Sequence, residues 1–265
     1  MWKGDLSAGS AKRPGPPAFA GVDPRHGGSL ASGRGRPAGR RSRGAPLADV
    51  SKRVFDIVVS FLLLLALLPA LLLIAVAIRL DSPGPALFRQ LRVGHRGKLF
   101  MILKFRSMHD AQADLLAHCQ TQRGDKRITR VGRVLRRVSL DELPQLLNVL
   151  SGDMSLVGPR PHAPGTSVKG VPIDQLVPNY PLRHAIRPGL TGAAQLGGHR
   201  GALTSFDQLR ARIEADLEYI ERRTLRLDIG IIAMTVVKEL SGRAREQPGA
   251  TGKALLDPLP TRRPV

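Results

Sequence analysis

Between Ile57 and Ile78 the chain is almost wholly apolar, interrupted only by Ser60 and Pro69. As a straight helix this stretch would be roughly 33 Å long, enough to cross a bilayer. So long a run without a polar face favours membrane insertion over burial in a soluble core. It starts too far from Met1 for an ordinary signal peptide. Further on, Leu99 to Phe105 predicts a short strand running into Lys104 and Arg106, and an alanine-rich stretch from Asp110 to Cys119 predicts a helix. Leu140, Leu143, Leu146, Leu147 and Leu150 recur at helical spacing, as do Phe206, Leu209, Ile213, Leu217 and Ile220. Leu225 to Leu240 predicts a last, amphipathic helix, of a length that suits a surface or interfacial position.

Proline and charge refine this pattern. Pro69 divides the apolar run into halves too short to cross roughly 30 Å alone. Cations flank both ends, Lys52 and Arg53 before and Arg79, Arg89 and Arg92 after. A single crossing would carry an arginine-rich N-terminal segment across the membrane, against the positive-inside tendency. A helix that enters, breaks at Pro69 and returns to the same face satisfies both constraints, and re-entry is the expectation.

Four regions follow: a basic arm over 1–50, a re-entrant membrane helix over 51–81, a catalytic domain over 82–242 and a tail over 243–265. The arm is rich in Gly, Pro, Ala, Ser and Arg without apolar periodicity, so it and the Pro-rich tail are expected to be disordered. The fold class is α/β and mostly helical, with short strands in a small catalytic domain and amphipathic interfacial helices.

The chain has 265 residues and a formal net charge of +20. Its partners should therefore be anionic: nucleic acid, membrane lipid or a phosphorylated substrate. Aromatic residues are only 4% of the chain and no nucleic-acid motif is present, which argues against a nucleic-acid partner. The single cysteine, Cys119, excludes a disulfide framework and a Cys-rich zinc site. No Walker-type phosphate loop or HExxH pattern occurs.

The chemistry concentrates in VSLDELPQLLNVLSGDMSLVGPRP, from Val138 to Pro161. Asp141 and Glu142 stand at a predicted helix start, with Ser139 three residues before Glu142 in the capping-box pattern. Pro144 suits a first turn, so the regular helix is expected to begin near it. A helix start favours ionised carboxylates, and the same pair would also serve simply to cap a surface helix. Lys126, Arg127, Arg130, Arg133, Arg136 and Arg137 approach the pair from the N-terminal side. Cations beside adjacent carboxylates in a membrane-bound chain suit a phosphorylated substrate held with a divalent ion. Gly158-Pro159-Arg160-Pro161 and Arg187-Pro188-Gly189-Leu190-Thr191-Gly192 read as rigid turns, each presenting one arginine. Ser205 and Gln208 suggest a second capping box.

Several segments together resemble the bacterial sugar transferases, the monotopic polyprenyl-phosphate phosphoglycosyl transferases. They are KRVFDIVVS, DSPGPALFRQLRVGHRGKLF, KFRSM, RITRVGRVLRRVSLDELPQLLNVLSGDMSLVGPRP and IRPGLTGAAQLGG, in that order. The resemblance runs from about Lys52 to Leu240. One departure is that Leu68 precedes Pro69 where the family often has Ser-Pro. The resemblance implies transfer of a sugar 1-phosphate from a UDP-sugar to polyprenyl phosphate at the cytoplasmic face of the bacterial inner membrane. It implies Asp141 as nucleophile, forming a phosphosugar intermediate and releasing UMP, and Glu142 as the residue associated with Mg²⁺. Lys104, Arg106, Arg160 and Arg187 fall in family motifs and are candidate phosphate contacts. Membrane lipid is an implied partner, and a homo-oligomer is compatible with the family. The alternative classes are a membrane-tethered nucleic-acid-binding protein and a non-catalytic membrane scaffold.

Overall fold

A computed structural model describes residues 45–109, 124–199 and 201–241. The predicted helix over Asp110–Cys119, most of the arm and the tail lie outside the described residues. Helix α1 spans Ala45–Asp81, so it begins inside the region assigned to the arm. It is helical throughout, Pro69 included. The proline removes one backbone donor but does not end the helix. Among the described residues, α1 alone is long and apolar enough to cross a membrane, over Asp49–Asp81.

Strands β1 (Leu87–Val93) and β2 (Leu99–Phe105) form an antiparallel hairpin, with Phe88 opposite Lys104 and Arg92 opposite Phe100. The alternation of a strand puts Phe88, Gln90, Arg92, Ile102 and Lys104 on one face. The sequence pattern had marked β2 alone. Helix α2 (Arg130–Arg137) follows, its Thr129 cap accepting from Gly132 N at 2.9 Å. A Cβ on Gly132 would lie 2.2 Å from Ser107 O, so only glycine lets α2 come this close to the chain leaving β2.

After a 3₁₀ turn at Leu140–Glu142 come α3 (Gln145–Ser151) and β3 (Ser155–Val157). Two-residue strands β4 (Ser167–Val168) and β5 (Val171–Pro172) lead into the short α4 (Ile173–Leu176) and a 3₁₀ segment at Tyr180–Ala185. Then β6 (Gly189–Thr191), α5 (Ala193–Leu196), α6 (Phe206–Arg222) and α7 (Leu225–Leu240) complete the fold. The two motifs expected as independent turns are joined. Ser155 and Val157 of β3 pair in parallel with Gly189 and Thr191 of β6, and Gly158 N donates to Thr191 O at 2.9 Å. A Cβ on Gly189 would sit 2.1 Å from Gly158 N, which is why the pairing needs glycines.

The main core gathers Ile102, Leu146, Val149, Leu156, Val157, Leu196, Tyr219, Leu227 and Ile231 from strands and helices across the fold. Phe55, Val59 and Leu64 of α1 pack against it. Beyond Pro69, Leu71, Ile74, Ala75 and Ile78 of the same helix pack with Phe105 and Leu135. Polar ties fasten both ends. Lys52 pairs with Asp228 at 2.6 Å, and Arg53 donates to the carbonyls of Val149 and Leu150 at 2.7 and 3.0 Å. At the other end Asp81 accepts from Val131 N at 3.0 Å. Between these ends Phe61, Leu62, Leu63, Leu65, Leu68, Leu72 and Leu73 stay exposed.

Ser205 caps α6 as its sequence pattern predicts, accepting from Gln208 N at 3.2 Å. The Gln208 side chain returns to Thr204 N rather than to Ser205. Leu209 and Ile213 are buried as the helical spacing requires, but Phe206 is exposed at the first turn.

Candidate active site

Asp141 and Glu142 lie in the 3₁₀ turn immediately before α3, for which Pro144 is the N-cap. The regular helix thus begins where proline allows it. The capping box at Ser139 does not form. Ser139 sits at φ 54°, ψ 20°, in the left-handed region, and its side chain makes no cap bond. The Glu142 amide instead donates to the Ser139 carbonyl at 3.2 Å.

Asn148 of α3 fixes this turn against the hairpin. Its Oδ1 accepts from Leu103 N at 2.8 Å and its Nδ2 donates to Met101 O at 2.9 Å. The amide thereby pairs with β2 as a neighbouring strand would. This brings Glu142 to Lys104, whose Nζ lies 3.0 Å from Glu142 Oε1. Arg160, just after β3, grips the same carboxylate, with Nη1 3.0 Å from Oε2 and Nη2 hydrogen-bonded to Oε1. Such a fork matches a carboxylate in plane.

The two carboxylates are held differently. Burial works to raise Glu142, but Arg160 and Lys104 together outweigh it and hold the group well below the usual carboxylate range. Asp141 is 8% exposed and makes no hydrogen bond to another described residue. Burial, and then the charge of Glu142, push it above its ordinary value. The helix-start argument alone predicts the opposite sign; desolvation in the cavity wall overrides it. Lys104 is lowered by burial, an effect that Glu142 opposes.

The pair opens onto a cavity of about 370 Å³. Arg92, Lys104, Arg127, Arg136, Arg160 and Arg212 line it, against the carboxylates of Asp141 and Glu142. Its charge suits a substrate with more than one phosphate. Of the residues expected to contact phosphate, the structure brings Lys104 and Arg160 together at the dyad. Arg106 also lines the cavity, but it is 3% exposed and both its Nη atoms are committed at the end of α1, with Nε unpaired among the described residues. It donates to Ser82 O at 2.7 Å and to Pro83 O, clasping the end of that helix. Arg187 lies outside the cavity lining and donates to Gly152 O at 2.8 Å.

Residues 47–242 match the family described as bacterial sugar transferase. The chain belongs to this family. The undecaprenyl-phosphate glucose phosphotransferase of Komagataeibacter xylinus is 52% identical over 201 residues, covering 75% of this chain and 38% of that protein. The exopolysaccharide production protein PSS of Rhizobium leguminosarum bv. phaseoli is 50% identical, covering 72% of this chain and 96% of that one. In Caulobacter vibrioides the UDP-glucose:undecaprenyl-phosphate glucose-1-phosphate transferase is 51% identical, covering 76% and 73% respectively. The chain therefore spans well under half of the Komagataeibacter relative and nearly all of the Rhizobium one.

Sequence reasoning about this bacterial sugar transferase missed Gln90, Arg92, His162, Arg183 and Arg212, scattered over β1, the loop after β3, the 3₁₀ segment at Tyr180–Ala185 and α6. His162 Nδ1 accepts from Arg183 Nη1 at 2.8 Å, and Arg183 also pairs with Asp216 at 2.6 Å. Burial, then the charge of Arg183, hold His162 well below its usual range, so the ring is neutral. Burial lowers Arg92 and Arg212 to about 10, which leaves both cationic at neutral pH. The one available signal was alternation on β1, which places Arg92 on the same strand face as Gln90 and Phe88.

Among the described residues no three His, Cys, Asp or Glu side chains cluster as a metal site. Asp141 and Glu142 offer hard oxygens of the kind Mg²⁺ takes when it shares its coordination with substrate phosphates.

Proposed function

We propose that the chain transfers a sugar 1-phosphate from a UDP-sugar to polyprenyl phosphate, by way of a phosphosugar bound covalently to Asp141. The observation that carries this reading is the contrast within the dyad. Glu142 is tied up by Lys104 and Arg160, whereas Asp141 faces the cationic cavity with no hydrogen bond to another described residue. A carboxylate without such partners is the better nucleophile.

In the first step an Asp141 oxygen attacks the sugar-bearing phosphorus. The bond from that phosphorus to the bridging oxygen breaks, and its electron pair leaves with UMP. In the second step an oxygen of the lipid phosphate attacks the same phosphorus, and the Asp141 carboxylate leaves unchanged. No proton transfer is needed in either step. Arg160 and Lys104 hold Glu142 in place and offset charge on the phosphoryl oxygens. Mg²⁺, held by Glu142 together with substrate phosphate, would neutralise those oxygens further.

We also propose that α1 enters the bacterial inner membrane from the cytoplasmic side, bends at Pro69 and returns. Supporting this, α1 packs on the same globular body on both sides of Pro69, through Phe55 and Val59 and then through Ile74 and Ile78. A straight span of the bilayer would separate these contacts by the membrane thickness.

Purified protein supplied with polyprenyl phosphate and Mg²⁺ is tested against a panel of UDP-sugars by UMP release. Turnover of at least one UDP-sugar is expected, and the panel also identifies the sugar. Release that ignores the lipid phosphate at steady state would contradict transfer.

A further inference from the structure

Part of the cavity lining has no role in the steps described so far. Arg92, His162 and Arg212 all face the cavity. His162 and Arg212 are 5% and 6% exposed. Each of the three keeps one buried nitrogen without a hydrogen-bond partner among the described residues: Arg92 Nε, His162 Nε2 and Arg212 Nε.

Their other nitrogens are largely committed. Arg92 Nη1 donates to Pro161 O at 3.2 Å and Nη2 to Gln90 Oε1. Arg212 Nη2 donates to Gly201 O at 3.3 Å. Arginine only donates, so the contact from Arg183 makes His162 Nδ1 an acceptor and puts the proton of the neutral ring on Nε2. All three unpaired atoms are therefore donors. Buried donors without partners are costly and rare in folded proteins. Four residues lining this cavity carry such a donor, Arg106 among them; Arg106 is held at the end of α1 by its other nitrogens, and the remaining three define a place for an acceptor-rich anion.

Resting on the activity proposed above, we propose that Arg92, His162 and Arg212 form a subsite for a phosphate monoester, the leaving nucleoside monophosphate. Attack by Asp141 breaks the bond between the two phosphorus atoms' bridging oxygen and the sugar-bearing phosphorus. The bridging oxygen keeps the electron pair, so the departing nucleotide gains one negative charge as the bond breaks. Donors that wait unpaired for that oxygen act where charge develops, and most strongly in a cavity shielded from water. The lipid phosphate is also a phosphate monoester, so the test separates the two.

The full-length protein is titrated with UMP and, separately, with farnesyl phosphate as a short acceptor. His162→Asn keeps an acceptor for Arg183 but removes the Nε2 donor; Arg212→Gln removes a cation; Arg212→Lys keeps the charge. UMP affinity is expected to fall about tenfold or more in His162→Asn and Arg212→Gln, with partial recovery in Arg212→Lys and little change for farnesyl phosphate. Thermal denaturation of each variant accompanies the titrations, and only variants with the original midpoint are compared. Unchanged UMP affinity in folded His162→Asn and Arg212→Gln overturns the subsite. A selective loss of farnesyl phosphate affinity overturns its assignment to the nucleotide. If the unaltered protein binds no UMP, the reading of the donor fails first, and the subsite with it.

Discussion

Arg160 and Glu142, eighteen positions apart in sequence, meet as a two-pronged pair in the cavity wall, with Nη1 3.0 Å from Oε2 and Nη2 on Oε1. Arg160 enters from the loop after β3, and Glu142 from the turn before α3. The pair thus ties the β3–β6 pairing to the dyad. Replacing Arg160 by Lys keeps one charge and loses the fork. Activity is expected to fall about tenfold to a hundredfold in kcat/KM, read as UMP release. Activity equal to the unaltered enzyme would show that a point charge suffices.

The dyad also sets a pH dependence. In the proposed reaction Asp141 must be ionised to attack, and burial together with Glu142 raises its pKa above the ordinary value. The acid limb of kcat/KM should therefore lie above pH 3.8. Glu142→Gln removes the neighbouring negative charge while Lys104 and Arg160 remain. Asp141 then loses its proton more readily, so the limb moves to lower pH even as the plateau falls. A limb that moves to higher pH in Glu142→Gln would contradict this electrostatic arrangement.

Asn148 makes a separate prediction about stability. Asn148→Leu leaves Leu103 N and Met101 O without their side-chain partner. The expected loss is about 2 kcal/mol or more, measured by denaturant unfolding. Activity should fall as well, because α3 carries the dyad turn. Unchanged stability would mean that water replaces the amide fully.

The parts of this architecture that a sequence reveals are those set by neighbours along the chain. The spacing of Leu209 and Ile213 locates α6, the run Leu99 to Phe105 is β2 to the residue, and Pro144 marks the start of α3. The parts that stayed hidden depend on contacts between distant segments. Nothing local distinguishes Arg106, which clasps the carbonyls at the end of α1, from Arg160, which reaches the dyad. Gly158 and Gly189 read as separate turns because the demand for close approach arises only when β3 and β6 lie side by side. The left-handed Ser139 likewise overrode a sequence pattern that fits a capping box.

The proposed membrane topology turns on Pro69. Ser10→Cys and Ser167→Cys, introduced singly in a Cys119→Ser background, report the arm and the catalytic domain to a membrane-impermeant thiol reagent. Both are expected to react only after the cells are permeabilised. Labelling of Ser10→Cys alone in intact cells would mean a straight span. Pro69→Leu restores the missing backbone donor and favours one continuous straight helix. This variant should shift toward exposing Ser10→Cys and lose activity, as the contacts of Ile74 and Ile78 separate from those of Phe55 and Val59.

The central claim is that Asp141 carries the sugar phosphate. The most direct measurement incubates the protein with a UDP-sugar radiolabelled at the sugar-bearing phosphate, with no lipid acceptor, and quenches it rapidly. The account predicts up to one equivalent of protein-bound label, formed with a matching burst of UMP and discharged on adding polyprenyl phosphate. It predicts no label in a folded Asp141→Asn protein. Turnover without any label on the protein, or undiminished label and turnover in Asp141→Asn, would contradict it.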